Sequence, residues 1–298
     1  MVGRDRAAGM PYHDPPIRGL TVVQATLRIF VALECWGAAV SRLVSGRPTA
    51  INRLLQQEFS LPAGAASVLD QSVAWALLVC GFVTLIRPVW PLLIAISTWM
   101  LAQPVAAIVT HFGAIPQIEP AQDAIRWIAP IVLLLVDFWP PRLKFTITRY
   151  EMAIGFLRVG VAATFLAGGV LLIHHSAHAS PLAEMLVRGA ERLKLATLSP
   201  ARAQFLLGVL GGLECGVGLA LVFGRSLPAA AAATVVGFAS AALPTVANGT
   251  AGYHDTLTRL IEGGAALALT AAWSLGYQEY PPTAIPSRNR FGGPRDGH

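Results

Sequence analysis

Residues 203–224 read AQFLLGVLGGLECGVGLALVFG, an apolar run in which Glu214 is the one acidic or basic side chain. A helix of about 20 apolar residues spans the hydrocarbon of a bilayer, so the run predicts a transmembrane helix. The whole chain has this character, since 54% of its 298 residues are hydrophobic and 13% are charged. A soluble domain carries about twice that charged fraction. The composition therefore predicts an integral membrane protein.

Similar apolar runs recur along the chain and predict about eight transmembrane helices. They lie at 20–43, 67–86, 89–111, 124–140, 152–175, 203–224, 227–247 and 257–277. The fourth is the weakest, because Arg126 and Asp137 leave only a short apolar segment between them. Since a chain in lipid satisfies its backbone hydrogen bonds within each helix, we expect an all-α integral membrane protein.

The basic residues in the connections set the expected orientation, because cytoplasmic loops carry an excess of Lys and Arg. Short connections with Arg87, with residues 141–150 and with Arg225 fall on one side, and an even number of spans puts both termini there. We predict a multi-pass protein of a bacterial plasma (inner) membrane with both termini cytoplasmic. Residues 1–19 form an N-terminal tail, and residues 278–298 a disordered C-terminal tail.

The formal net charge of +6 does not indicate nucleic-acid binding, because the basic residues are dispersed and form no stripe. Anionic membrane lipids are the expected partners of these charges. The sequence contains no nucleotide-binding fingerprint, CxxC haem motif or iron–sulfur cysteine pattern. Any cofactor chemistry is therefore expected to be borrowed from a bound molecule or a partner.

The two halves of the chain resemble each other. The first span opens with LRI at 27–29 and the fifth with LRV at 157–159, and each is followed by a long connection. In the second connection, at 176–202, residues 181–198 have charges at near-helical spacing, which predicts a helix on the outer surface. We predict two four-helix repeats, 20–148 and 149–277. Because each has four spans, both share one orientation and are related by an axis along the membrane normal.

The second half resembles the DoxX-like membrane proteins, four-helix units that include the small quinone-associated subunit of thiosulfate:quinone oxidoreductase. It carries LRVG at 157–160 and GGLECGVGLALVFGR at 211–225, with Glu214 at the family's glutamate position. The first half departs from this pattern, since its second span has no glutamate and the nearest acid is Asp70 at the helix entrance. The resemblance implies a quinone-linked membrane subunit that has no electron-carrying cofactor of its own and works with a partner redox protein.

Several charged residues fall inside the predicted spans, where an ionisable side chain is costly and needs a partner. They are Arg28, Glu34, Arg158, Glu214, Arg259 and Glu262. Arg28 and Arg158 occupy equivalent positions in the two halves, and we expect them to face glutamates. One interpretation is a set of structural ion pairs that fixes helix packing. The other is a polar interior that binds a quinone headgroup or conducts protons.

Histidines form a second candidate site at the predicted outer face of the membrane. His174 and His178 are four residues apart, so they share one face of a helix and have the spacing of metal ligands. His111 and His254 lie at a similar predicted depth. The alternative is that these amphipathic side chains suit the membrane interface and bind no metal.

Two function classes fit these observations. The first is a redox-associated subunit that holds a quinone or couples to a partner. The second is a non-enzymatic membrane protein, either a transporter or a scaffold for assembly or cargo, because parallel four-helix repeats with buried charges also suit a small transporter.

Overall fold

The computed structural model describes residues 18–46, 48–111, 115–137, 147–178, 180–194 and 198–276, without the side chains of Arg18 and Ile147. Every regular element in these ranges is helical. The helices are α1 (Arg18–Ser45), α2 (Ala50–Gln57), α3 (Ala63–Ile86), α4 (Trp90–Val109), α5 (Glu119–Gln122), α6 (Ala124–Val136), α7 (Ile147–Ser176), α8 (Pro181–Arg192), α9 (Pro200–Phe223), α10 (Leu227–Asn248) and α11 (Tyr253–Gly276). The two predicted tails, except for residues 18 and 19, and the end of the fourth run at 138–140 lie outside the described residues.

Five helical stretches are long and apolar enough to cross a membrane. They are Ala63–Ile86, Trp90–Val109, Thr148–Ser176, Pro200–Phe223 and Leu227–Leu275. Each of the eight predicted runs contains a helix, but α1 and the 13-residue α6 are not among the five stretches. The described chain is therefore an all-helical, multi-pass membrane protein, and five spans rather than eight follow from helix length and composition.

The last of these stretches contains two helices that fold back on each other. A 3-10 turn at Gly249–Gly252 separates α10 from α11. The hydroxyls of Thr245 and Thr256 lie 2.7 Å apart, and those of Thr234 and Thr270 lie 3.3 Å apart. These pairs show that α10 and α11 form an antiparallel hairpin.

Serine and threonine caps start several of the helices. The hydroxyls of Thr49, Ser180, Ser199 and Ser226 each accept a hydrogen bond from a backbone N–H in the first turn of α2, α8, α9 and α10, respectively. Such a cap satisfies an N–H that has no partner within the helix. In α8 and α9 proline follows directly, where its missing N–H costs nothing.

The core lies where α1, α6, α7 and α11 meet, around the buried side chains of Leu27, Leu133, Leu157 and Leu269. Helix α1 also packs against α3, and α7 packs against α9. The short α2 and α8 lie at corresponding places, α2 against α3 and α4, and α8 against α9 and α10. Residues 181–192 of the predicted surface helix therefore form α8. The sequence did not predict α2.

Large apolar side chains cover the outside of the bundle. The exposed fraction is 84% for Phe223, 78% for Ile86 and 62% for Trp75. A soluble monomer rarely exposes so much contiguous apolar surface. These side chains are suited to contact with lipid.

Candidate functional site

Arg126, in the first turn of α6, is the centre of a buried charge cluster. Its Nη1 lies 3.0 Å from Oδ1 of Asp123, the N-cap residue of the same helix. Its Nε lies 3.9 Å from Oε1 of Glu34 on α1, and its Nη2 lies 3.9 Å from Oε1 of Glu262 on α11. One guanidinium is thus shared by three carboxylates from three different segments.

Glu34 is the most deeply buried member of the cluster. Its exposed fraction is 0%, and neither carboxylate oxygen has a hydrogen-bond partner among the described residues. Nε of Arg126 also lacks a hydrogen-bond acceptor there. A buried carboxylate without hydrogen bonds is costly unless it is neutralised, so the charge of Glu34 is incompletely compensated in this arrangement.

Glu262 also belongs to a second group of charges with Arg259 and Glu214. Arg259 lies one turn before Glu262 on α11 and interacts electrostatically with both glutamates. All three side chains line a cavity of about 360 Å³, which we name the large cavity only to distinguish it from the smaller one described below, since two more open surface grooves have larger volumes. The charge cluster and this cavity therefore share Glu262.

The large cavity lies between α7, α9, α10 and α11, with Leu182 and Leu186 of α8 at one end. Its walls are mainly apolar, and Gln122, Thr164 and Ser240 add polar groups. Leu210 of α9 and Val235 of α10 are 36% and 69% exposed. Because both residues line the cavity and also reach the outer surface, the cavity opens sideways between α9 and α10.

Glycine makes room for Glu214 at the cavity wall. A Cβ atom on Gly168 of α7 would lie 2.9 Å from Oε2 of Glu214. The absence of a side chain at Gly168 therefore lets the carboxylate of α9 pack directly against α7. Glu214 itself is 8% exposed.

A smaller cavity of about 120 Å³ is lined mainly by residues of the first half of the chain, with Thr258 of α11. Asp123 and Arg126 form one side, and Asp70, Trp99 and Gln103 are among the other lining residues. The Arg126–Glu262 contact thus joins a residue of the small cavity to a residue of the large one. The charge cluster lies between the two cavities.

The structure brings four of the six predicted polar residues to this region: Glu34, Glu214, Arg259 and Glu262. The expected pairing of the two equivalent arginines with glutamates is wrong. Arg28 forms an ion pair with Asp137, the C-cap residue of α6. Arg158 donates hydrogen bonds of 2.6 Å to the carbonyls of Leu221 and Val222 near the end of α9. Both arginines lie close to a neighbouring helix end, where C-terminal carbonyls and a carboxylate attract a cation.

Sequence reasoning missed the central role of Arg126 and Asp123. The apolar pattern marks Arg126 only as a limit of the fourth predicted span. The spacing of the two residues could have predicted their pairing, since an acid and an arginine three positions apart face each other at the start of a helix. Which carboxylates from other helices join them depends on helix rotation, which the spacing does not encode.

The predicted histidine metal site is not assembled. The rings of His174 and His178 lie 5.0 Å apart, and Nδ1 of His178 lies 3.1 Å from the carbonyl oxygen of His174. His254 is buried at the start of α11, with Nε2 3.5 Å from Asp255, and His111 is exposed just after α4. Within the described part of the chain, no group of three or more His, Cys, Asp or Glu side chains is placed to hold a metal ion.

Glu119 is the half-buried first residue of α5, outside the apolar stretches. Burial, which is the larger cause, and the nearby carboxylate of Asp123 together raise the pKa of Glu119 to about 7. This carboxyl therefore changes its charge near neutral pH, next to the residue that holds Arg126.

Comparison with protein-family models, curated proteins and solved structures finds no match to this chain. The functional argument therefore depends on the geometry of the cavities and of the charge cluster.

Proposed function

We propose that the chain is a duplicated DoxX-like membrane protein that acts as a quinone-linked, redox-associated subunit. The quinone headgroup would occupy the large cavity. The observation that carries this proposal is the cavity itself, about 360 Å³ in volume, with apolar walls and three charged side chains, Glu214, Arg259 and Glu262. A mostly apolar pocket with a few convergent polar groups is the usual form of a small-molecule site.

A quinone has polar and apolar parts, which match the charged and the apolar side chains that line the large cavity. Its carbonyl oxygens accept hydrogen bonds, which the guanidinium of Arg259 donates, as does a glutamate side chain when protonated. Its ring and tail are apolar and would pack against side chains such as Phe165 and Leu207. The opening beside Leu210 and Val235 would admit the quinone from the lipid, where it is dissolved.

The chain would bind the quinone and supply protons, and a partner redox protein would carry the electrons. Conversion of a quinone to a quinol takes up two electrons and two protons. The carboxyls of Glu214 and Glu262 are groups of the cavity wall that can exchange protons. The electrons would come from the partner, since the sequence carries no motif for an electron carrier.

Helix packing supports the proposal of eight spans in two parallel repeats. The pairs α1–α3 and α4–α6 of the first half correspond to α7–α9 and α10–α11 of the second. Across the halves, α1 packs against α11 as α7 packs against α6. Because α1 packs against α3, α6 and α11, the charges of Glu34 and Arg126 would face protein and not lipid. We extend the proposal to a bacterial inner membrane with both termini in the cytoplasm.

The direct test is quinone binding by the purified protein in lipid nanodiscs. A short-chain ubiquinone or menaquinone analogue should raise the melting temperature of the wild type, because a ligand of the folded state stabilises it. Glu214→Gln should reduce or remove this shift. Glu58→Gln, at an exposed site after α2, should keep it. A wild-type melting curve unchanged by every quinone tested would contradict the proposal.

Transport of an amphiphilic cation is a second candidate function, favoured by the charge balance. The cluster and the large cavity together hold the carboxylates of Glu34, Asp123, Glu214 and Glu262 but only the guanidiniums of Arg126 and Arg259. An excess of negative charge in a low-dielectric interior favours a cation. Stabilisation by a hydrophobic amine but by no quinone would support this alternative.

A further inference from the structure

The arrangement around Arg126 leaves two carboxylates in competition for one cation. Asp123 makes the close contact at 3.0 Å, whereas Glu34 and Glu262 both remain at 3.9 Å. Nε of Arg126 faces Glu34 and has no hydrogen-bond acceptor among the described residues. A small shift of the guanidinium toward Glu34 would therefore complete one pair at the expense of the other.

Glu34 needs a neutralising partner that is small enough to reach a fully buried side chain outside both cavities. Its side chain is fully buried and both of its oxygens lack hydrogen bonds within the described chain. It is not among the residues that line either the small or the large cavity. A proton satisfies these conditions, because it neutralises the carboxylate without requiring a site of its own.

The charged groups that act on Glu34 come from two neighbouring helices and the N-cap of one of them. They are Arg126 of α6, Asp123 at its N-cap and Glu262 of α11. Helix α3 also packs against α1, but it adds no charged side chain to this set. Cys35 follows Glu34 on its own helix and is buried as a free thiol.

We propose that Glu34 is a proton-binding residue whose protonation determines, through Arg126, the charge that Glu262 presents to the large cavity. With Glu34 protonated, Arg126 pairs with Asp123 and shares the balancing of Glu262 with Arg259. When Glu34 releases its proton to water, its carboxylate attracts Arg126, and Glu262 loses part of its counter-charge. No bond other than the O–H bond of Glu34 forms or breaks.

The ligand side of this inference rests on the proposed quinone function. A more negative Glu262 repels the electron-rich carbonyl oxygens of a quinone, so loss of the proton from Glu34 weakens quinone binding. Quinone affinity should therefore fall as the pH rises. The proton site itself does not depend on which ligand occupies the cavity.

Infrared spectroscopy of the protein in lipid tests the proton site directly. The wild type should show a carboxylic-acid C=O band that shifts in deuterated buffer and on ¹³C-glutamate labelling, and whose intensity falls as the pH rises. Glu119 and the glutamates of the large cavity contribute to the same band, so Glu34→Gln should remove one component of it, whereas Glu58→Gln and Glu119→Gln should keep that component. A wild-type spectrum without a labelled acid band overturns the inference even if Glu34→Gln fails to fold, and so does a Glu34→Gln spectrum whose acid band is unchanged.

Quinone affinity measured between about pH 5 and pH 9 tests the coupling. Wild type and Glu58→Gln should lose affinity at least about fivefold across this range, the lower end of common coupling between sites. Glu34→Gln should lose clearly less affinity across this range, because its amide does not titrate and only the other carboxyls, such as Glu119, still do. An equal pH dependence in Glu34→Gln overturns the coupling. A wild type that binds no quinone at any pH contradicts the proposed function instead, and the infrared result then decides the proton site alone.

Discussion

Asp70 organises a second buried ion pair, at the end of the bundle where α2 lies. Its carboxylate lies 3.1 Å from Nε of Arg42 and accepts hydrogen bonds from the hydroxyl and the backbone N–H of Thr49, at 2.7 and 3.2 Å. Thr49 in turn caps α2. One acid therefore connects the end of α1, the start of α2 and the first part of α3.

Replacement of Asp70 should destabilise the protein strongly. Asp70→Ala leaves Arg42 buried without its counter-charge, for which we expect a loss of about 3–5 kcal/mol in the free energy of unfolding. Asp70→Asn retains an acceptor for Thr49 and should cost less. Reversible unfolding in mixed micelles measures both. The exposed neighbour provides the control, since Gln71→Ala should stay within about 0.5 kcal/mol of the wild type.

Glu119 should give the stability of the protein a specific pH dependence. Because its folded-state pKa is raised from 4.5 to about 7, the folded protein binds more protons than the unfolded chain between these values. The free energy of unfolding should therefore decrease as the pH rises through this window. Melting temperatures of Glu119→Gln across the same window should show a smaller decrease. A wild-type-like decrease in Glu119→Gln, or an equal change in the exposed-site control Glu184→Gln, would contradict the assignment.

At the scale of single residues, the sequence predicts which charged side chains lie within the apolar runs. It does not predict which residues they contact. Glu34, Glu214, Arg259 and Glu262 were recognisable because a charge in an apolar run is conspicuous. The partner of Arg28 was not, because Asp137 lies 109 positions away and only the packing of α6 on α1 brings it close. Glu119 lies outside the apolar runs, and its pKa depends on the fold of residues 115–123.

Glycine determines how closely α7 and α9 approach. A Cβ atom on Gly211 would lie 2.7 Å from the carbonyl oxygen of Gly169, and one on Gly169 would lie 2.6 Å from that of Gly211. Both obstacles are backbone atoms, so rotation of a side chain cannot relieve the clash. Small residues at such crossings are typical of membrane helices, where close packing drives helix association.

Two adjacent glycines of α9 offer a matched test of this packing. Gly211→Ala should separate α7 from α9 and cost about 1–3 kcal/mol, as overpacking does. At Gly212 a Cβ atom would meet nothing within 4 Å. Gly212→Ala should therefore be neutral or stabilising by up to about 1 kcal/mol, because alanine favours a helix. Equal effects of the two substitutions on unfolding would contradict the assigned helix contact.

Element positions follow from apolar length, which is why each predicted run contains a helix. The exact ends follow from caps such as Ser199, which the apolar pattern does not include. The fourth run is the instructive case. Arg126 lies near its edge, as the sequence predicts, in the first turn of the 13-residue α6, but its charge points into the bundle, which the sequence does not predict. The short α2 has only eight residues, about two turns, so its helical period is too brief to recognise in the sequence.

The whole molecule depends on contacts between its two halves. Helix α1 of the first half packs along α11 of the second, and α6 packs along α7. The contact between Arg126 and Glu262 crosses the same boundary. The sequence suggested the duplication from short motifs, but it contained no measure of which helices meet across the boundary.

Parallel repeats make a definite prediction about sidedness. In a variant without Cys35, Cys80 and Cys215, single cysteines at Glu58 and Glu191 should react with a membrane-impermeant maleimide in intact cells. Cysteines at Arg87 and Arg225 should react only after permeabilisation, because they lie in turns at the opposite ends of α3 and α9. Reaction of positions 58 and 191 from opposite sides would indicate inverted repeats and contradict the proposed architecture.

The depth of Glu34 makes the transmembrane voltage relevant to its proton. At about 1.5 Å per residue, Glu34 lies roughly 24 Å from one end of α1 and roughly 16 Å from the other, hence near the middle of the bundle. In the proposed eight-span arrangement, a proton that reaches it from either surface would cross about half of the electric field. A potential of 100 mV would then change the free energy of that proton by about 1.2 kcal/mol, or its binding constant about sevenfold. An energised membrane would thus adjust the charge state of this interior with no change in the pH on either side.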